Sequence, residues 1–334
     1  MVVLNRIAIA VLAGVLAGCA GNKMGRMPDL PAPPPRVPAA KPTPIDSTLR
    51  ESARAELNED RTANDPIVRA NAIEAIQESV GLEGKDVIVT GLDDPKPLVR
   101  FSAAMATGTL KIEDARGRML ELVNDPDPHV RIGVRYALHM LGDKHLSHEL
   151  ERTARDLDPH IRSETATVLG LIGDRSALNV LRPMLTDNDA DVRLQVAEAM
   201  WRLRDPESEG LTNLVAGSVS GYADDQILCL MALAAPRDNR VREHIRGRLT
   251  AQWSEVSLAA ARALGELGSD EGYGVAVIGA RSTDPRLQSM AALAFGAIGR
   301  SDAQPLLATM LKSKDQSVRL AAATAILQLK PPET

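Results

Sequence analysis

Residues 156–173 read DLDPHIRSETATVLGLIG, and residues 187–204 read DNDADVRLQVAEAMWRLR. The two segments align without a gap at a displacement of 31 residues. Arg162 and Arg193 share a column that also holds Arg69, Arg100 and Arg131, each 31 residues from the next. A branched aliphatic precedes every one of them: Val68, Val99, Val130, Ile161 and Val192. The pattern returns as Val318-Arg319, while Ile227-Leu228, Val256-Ser257 and Leu287-Gln288 keep the place without the arginine. A fixed period of this length marks stacked repeats, each too small to bury its own apolar face.

Counting from the arginine column as zero, positions −1, +3, +4, +7 and +10 are mainly apolar. Around Ser257 they are Val256, Ala260, Ala261, Leu264 and Leu267; around Gln288 they are Leu287, Ala291, Ala292, Phe295 and Ile298. At 100° per residue these positions fall on one helical face. Asp-Pro pairs at 65–66, 127–128, 158–159 and 284–285 supply an N-cap and a first-turn proline. Glycines at +11 (Gly142, Gly173, Gly268, Gly299) supply the stop. A second amphipathic segment precedes each of these helices, for example at 115–123, 177–185 and 303–311. The expected fold is all-α, an α-solenoid of about nine two-helix repeats over residues 47–330. It is expected to be less regular near 207–237, where Gly217, Gly221 and the loop-like 219–225 interrupt the pattern.

Composition agrees. Aromatics number two Trp, three Tyr and two Phe in 334 residues, which argues against a large β-sandwich and against an aromatic platform for single-stranded nucleic acid. A formal charge of −5 offers no basic excess for phosphate binding, so no nucleic-acid partner is expected. Two cysteines, Cys19 and Cys229, exclude a disulfide framework and a four-cysteine metal site. Cys229 lies in the apolar run 227–235 and is expected to be a buried, inert thiol.

The first residues read as an address. Arg6 is the positive n-region, residues 7–16 are apolar, and Leu16-Ala17-Gly18-Cys19 resembles the bacterial lipobox. That resemblance implies a signal peptide over 1–18, a lipid on Cys19, and a protein held at the membrane by two or three acyl chains. With Ala20 rather than Asp after the cysteine, the resemblance to enterobacterial lipoproteins implies the periplasmic face of the outer membrane. Residues 19–46 follow as a tether with eight prolines between 28 and 44, extended and without a fold of its own. In polyproline II at about 3.1 Å per residue it would reach roughly 80 Å.

The repeat resembles the HEAT repeat, and in its short period the variant named after phycobilisome lyases. The HEAT pattern has an Asp in the inter-helix turn and an Arg six residues later; here the pairs are Asp94 and Arg100, Asp125 and Arg131, Asp156 and Arg162, and Asp187 and Arg193. The resemblance implies a structural ladder of these residues along the stack, with the guanidinium bonding a carboxylate and turn carbonyls of the adjacent repeat. It also implies that the second helix of each repeat lines a concave surface. The face opposite the core centres on +5, with +1 and +8 beside it, so Met105, Tyr136, His139 and Trp201 are expected there as a patch for a protein or peptide partner.

Catalytic signals are sparse. There is no glycine-rich dinucleotide loop, P-loop or nucleophile elbow, and neither a catalytic residue, a metal site nor a cofactor is expected. Five of six histidines fall in 129–160 (His129, His139, His145, His148, His160), and His148-Glu149 matches one of the His-Glu dipeptides of deoxyhypusine hydroxylase, a di-iron HEAT-repeat enzyme. One dipeptide cannot hold two irons. The expected function is therefore a membrane-anchored, non-catalytic scaffold or adaptor of the bacterial envelope. The alternative is a metal-dependent enzyme of lyase or oxygenase type using the region from His129 to His160.

Overall fold

The computed structural model describes residues 37–38, 40–144 and 148–330. Cys19 and the leader therefore lie outside the described residues, as do His145 and the side chain of His148. Among the described residues there are helices and turns only. Each repeat pairs a short first helix with a longer second one. The second helices are α2 (Pro66–Ser79), α4 (Pro97–Leu110), α6 (Pro128–Met140), α8 (Pro159–Ile172), α10 (Ala190–Arg202), α12 (Ala223–Ala234), α14 (Ser254–Glu266), α16 (Pro285–Ile298) and α18 (Gln316–Gln328). The first helices between them are α3 (Lys85–Gly91), α5 (Arg116–Leu122), α7 (His148–Thr153), α9 (Leu178–Met184), α11 (Glu209–Gly217), α13 (Arg242–Arg246), α15 (Tyr273–Ala280) and α17 (Gln304–Met310). A further helix, α1 (Ser47–Asp60), precedes them all.

The ends of these helices are set by the residues that sequence singles out. Asp65, Asp127, Asp158 and Asp284 accept hydrogen bonds from first-turn N–H groups, and each is followed by a proline that needs no acceptor. The +11 stop is left-handed, with φ of 80° at Gly173 and 75° at Gly299. Lys111 and Arg204 adopt the same conformation without being glycine, each at φ 53°.

The chain divides into two compact units. One comprises residues 61–216 among the described residues, and the other residues 37–60 together with 217–330. The division at 216/217 falls inside the stretch whose sequence is least regular. In the first unit, α2, α4, α6, α8 and α10 pack in series; in the second, α12, α14, α16 and α18 do, and the series continues with α1. The N-terminal helix thus belongs to the last repeat of the chain. Arg319 Nε donates to Glu56 Oε1 at 2.6 Å, Gln316 Nε2 to Asp60 Oδ1 at 2.7 Å, and Arg50 Nη2 to the Leu329 carbonyl at 3.0 Å. The proline-rich segment before it is held as well, since Arg300 donates to the carbonyls of Val37 and Pro38 and Ser301 Oγ accepts from Thr43 N–H. Residues 37–38 and 40–46 have no helix or strand, as expected, but they lie along the last repeats instead of standing clear of them.

Successive second helices approach closely where position +8 is glycine. A Cβ on Gly170 would stand 2.7 Å from Ala199 Cα, one on Gly265 2.7 Å from Ile298 N, and one on Gly296 2.9 Å from Ala325 Cα. Gly108 meets Ala137 and Tyr136 in the same way. The contact between α6 and α8, where His139 holds this column, is markedly smaller.

Candidate functional site

The ladder in the first unit is built from the turn outward. Asp94, Asp125 and Asp187 each accept the backbone N–H two residues on, at 2.8–2.9 Å, which fixes the carboxylate at the start of the next helix. The arginine of the preceding repeat then meets both oxygens. Arg69 bonds Asp94 at 2.8 and 2.9 Å, Arg100 bonds Asp125 at 2.9 Å twice, and Arg162 bonds Asp187 at 2.8 Å twice. The remaining arm of each fork reaches a carbonyl six residues back, at Ala63, Asp94 and Asp156. The carbonyls are thus those of the arginine's own turn, not of the adjacent repeat as the family resemblance implied. Hydrogen bonds from Arg162, against some burial, hold the Asp187 carboxyl below its ordinary value. At Asp94 and Asp125 burial pushes upward, but the bonds from Arg69 and Arg100 and the backbone donors outweigh it, and both carboxyls also sit low. One rung is open: among the described residues no bond joins Arg131 to Asp156, and Arg131 keeps its own-turn bonds to the Asp125 and Pro126 carbonyls. Arg193 likewise bonds the Asp187 and Asn188 carbonyls.

In the second unit the columns change. Ser257 and Gln288 stand where the arginines were, and Ser282 and Ser313 stand where their carboxylate partners would be. The serines keep the turn: Ser282 Oγ accepts Asp284 N–H at 3.1 Å and Ser313 Oγ accepts Asp315 N–H at 3.2 Å. They cannot make the rung. Gln288 still reaches the carbonyl six residues back, at 2.7 Å, whereas Ser257 is too short to fill the slot and touches the Ala251 carbonyl at 3.4 Å. The result is a cavity of about 490 Å³ between α14 and α15, whose walls include Ser257, Ser282, Leu249, Leu258, Ile278 and Arg281. The last rung of the unit is closed by an outside partner, Glu56 of α1, in place of a following repeat.

The expected patch is a different matter. Met105 is 0%, Tyr136 2% and Trp201 4% exposed, and His139 is half-buried. The +5 column does not face solvent. Gly108 explains Tyr136: the absent side chain leaves room for the ring, whose Oη comes within 3.3 Å of Thr109 Oγ1, and burial raises the phenol's pKa. The inner row of this unit is a buried and largely paired polar seam. Thr167 donates to Gln195 at 2.8 Å, Glu198 accepts from Arg202 at 2.9 Å, and Ser102 lies 3.5 Å from Glu74, whose carboxyl is pushed far up by burial. Burial first, and Lys144 second, depress the His139 pKa, and its Nδ1 is buried with no hydrogen-bond partner. Met105, Tyr136 and Trp201 are interior and His139 is half-buried, so the four form no exposed patch.

A family model described as HEAT repeats matches residues 55–139, 146–217 and 275–334. The chain belongs to the HEAT-repeat family. No curated protein sequence matches it. Among solved structures it is similar to the complex of CpcE and CpcF of phycocyanin lyase from Nostoc sp. PCC7120, with 21% identity, TM-score 0.44, and coverage of 71% of this chain and 97% of that one. Human deoxyhypusine hydroxylase in complex with glycerol gives 18% identity, TM-score 0.39 and coverage of 76% and 98%. A mutant of Kap121p gives 13% identity, TM-score 0.36 and coverage of 81% and 37%.

The HEAT framework also places the histidines. His129 Nδ1 lies 2.7 Å from Glu164 Oε2, which raises the His129 pKa, and His160 is exposed beside its N-cap Asp158. Glu149 is engaged by Arg135. Among the described residues no three His, Cys, Asp or Glu side chains gather in a metal-binding cluster. Cys229 is a buried thiol on α12. Sequence reading passed over the cavity at Ser257, although the lapse of both the Arg and the Asp columns marks it. It also passed over the +8 glycines, which decide which face of the second helices is open.

Proposed function

We propose that this HEAT-repeat chain is a non-catalytic scaffold of the bacterial envelope, anchored through lipid on Cys19 and presenting its repeats to a protein or peptide partner. The fold is one typical of protein-interaction scaffolds. The observation that carries the reading further is that large apolar side chains stand open in and beside the inter-helix turns of the first unit. Leu157, in an inter-helix turn, is 97% exposed, and Ile67 and Leu98, both two residues before their arginines, are exposed with it. Isolated exposed apolar residues are common, but Ile67 and Leu98 repeat one column at successive repeats, and Leu157 stands three positions earlier in the turn of a later repeat. The lipobox supports the anchor, and no helix among the described residues is long and apolar enough to cross a membrane.

Two measurements test this. Metabolic labelling with an alkyne fatty acid should mark the wild type and leave Cys19→Ser unlabelled and released from membranes; equal labelling would defeat the anchor. Crosslinking and co-purification from membranes should recover a partner that Ile67→Asp/Leu157→Asp loses; a partner recovered equally by that variant would rule out the turn edge. Stoichiometric iron or zinc in the purified chain, lost in His145→Ala/His148→Ala, would overturn the non-catalytic reading.

A further inference from the structure

The cavity between α14 and α15 exists because a rung is missing, and its chemistry differs from that of the rungs around it. In the closed rungs the slot holds a guanidinium and a carboxylate. Here Ser257 and Ser282 bring no charge into the slot, and the aliphatic side chains of Leu249, Leu258 and Ile278 line it. Ile278 is 64% exposed at the rim. Arg281 is the one charged residue of the lining, and its guanidinium takes part in no ion pair or hydrogen bond among the described residues.

A second feature points the same way. Most second helices in this chain start on an aspartate that caps the first turn. α14 starts on Trp253, which makes no side-chain cap, so the positive end of a 13-residue helix opens beside Ser254 and Ser257 on the cavity wall. Glu255 lies in that turn but faces Arg286, 3.9 Å away, and is not part of the lining. An unpaired guanidinium and an uncapped helix start, with no acid between them, favour an anionic group.

We infer that this vacated rung binds the C-terminal carboxylate and aliphatic last residue of a partner peptide. The volume of about 490 Å³ is in the range of small-ligand pockets and accommodates a few residues. The aliphatic walls take the last side chain, and Arg281 with the start of α14 takes the carboxylate. The hydroxyls of Thr250, Ser254, Ser257 and Ser282 and the amide of Gln252 are more polar groups than one head group needs. A peptide backbone can use them, whereas an acyl chain would bury them unsatisfied. The inference rests on the scaffold reading for the existence of a partner, but its test uses the purified chain and is independent of any membrane partner.

The test is a titration of the isotope-labelled full-length chain with acetylated tripeptides ending in Leu, Ile or Val, followed through backbone amide resonances. Shifts should centre on residues 249–258 and 278–282. The corresponding C-terminal amides and the variant Arg281→Gln should each bind at least tenfold more weakly. Ser257→Arg/Ser282→Asp, which rebuilds the rung and fills the slot, should abolish the shifts while the chain keeps or raises its melting temperature. Absence of shifts up to millimolar peptide, or equal binding of the amides, would overturn the proposal. Equal binding of decanoate would overturn it in favour of a site for simple amphiphiles.

Discussion

The two units use one repeat plan with opposite settings of the same slot. In the first, Arg69, Arg100 and Arg162 each tie a repeat to the next through paired charges, with one rung open at Arg131. In the second, serine and glutamine keep the turns and give up the tie, except where Arg319 finds Glu56 on α1. The separation of roles is instructive. The turn needs only an oxygen that accepts the N–H two residues on, which Asp or Ser supplies. The tie needs both a guanidinium and a carboxylate, and loses its purpose when either goes. What remains is space, and space between repeats is where a repeat protein can hold something else.

Substitutions can break this comparison or sharpen it. The largest effect should be shared by both units. Gly170→Leu and Gly265→Leu each force a side chain into a neighbouring backbone 2.7 Å away, and each should cost about 3 kcal/mol by urea denaturation. If only one did, helix spacing rather than the ladder would distinguish the units. Next, Arg162→Ala should cost about 2 kcal/mol, since it strands a partly buried carboxylate, while Ser257→Ala should cost less than about 0.5 kcal/mol. Equal losses would erase the distinction.

Rebuilding the tie with Ser257→Arg/Ser282→Asp should add about 1 kcal/mol, and a loss instead would show that the cavity walls have settled around the gap. Acidification offers a reading without mutation. The Asp94, Asp125 and Asp187 carboxyls are depressed in the folded state, so their stabilisation is present above the unfolded Asp value near 4 and is lost as pH falls through the folded values. Amide exchange, corrected for its intrinsic pH dependence, should therefore rise more in residues 61–216 than in 217–330 between pH 5 and pH 3. The smallest effect runs the other way. His129 has a raised pKa beside Glu164, so its contribution is full below about pH 6.5 and disappears as pH climbs through the raised value. His129→Ala should cost about 0.5 kcal/mol at pH 5.5 and less at pH 8.5 by denaturant titration.

The period of 31 was enough to place the second helices, the aspartate caps and three rungs of the ladder, because these repeat in sequence, while Arg131 and Asp156 keep the pattern without making the bond. The orientation of the +5 column was not legible from hydrophobic pattern alone. Tyr136 and Met105 look like surface residues on a helical wheel, and it is the approach of neighbouring helices, set for Tyr136 by Gly108 at +8, that buries them. A glycine at +8 carries no apolar signal, whereas one at +11 ends a helix and is legible as a stop. The docking of α1 had no local signal at all, since Glu56 and Arg319 are 263 residues apart and belong to no shared motif.

That docking has a consequence in time. Helix α1 is among the first described parts of the chain to be made, yet its partner surface on α18 is among the last. At ribosomal rates of about 5–20 residues per second, α1 waits roughly 10–50 s for Arg319 to exist. Through that interval Leu57 and Ala53, buried in the finished protein, have nothing to cover them. That is a long exposure of an apolar pair, and it ends when the Arg319–Glu56 tie closes.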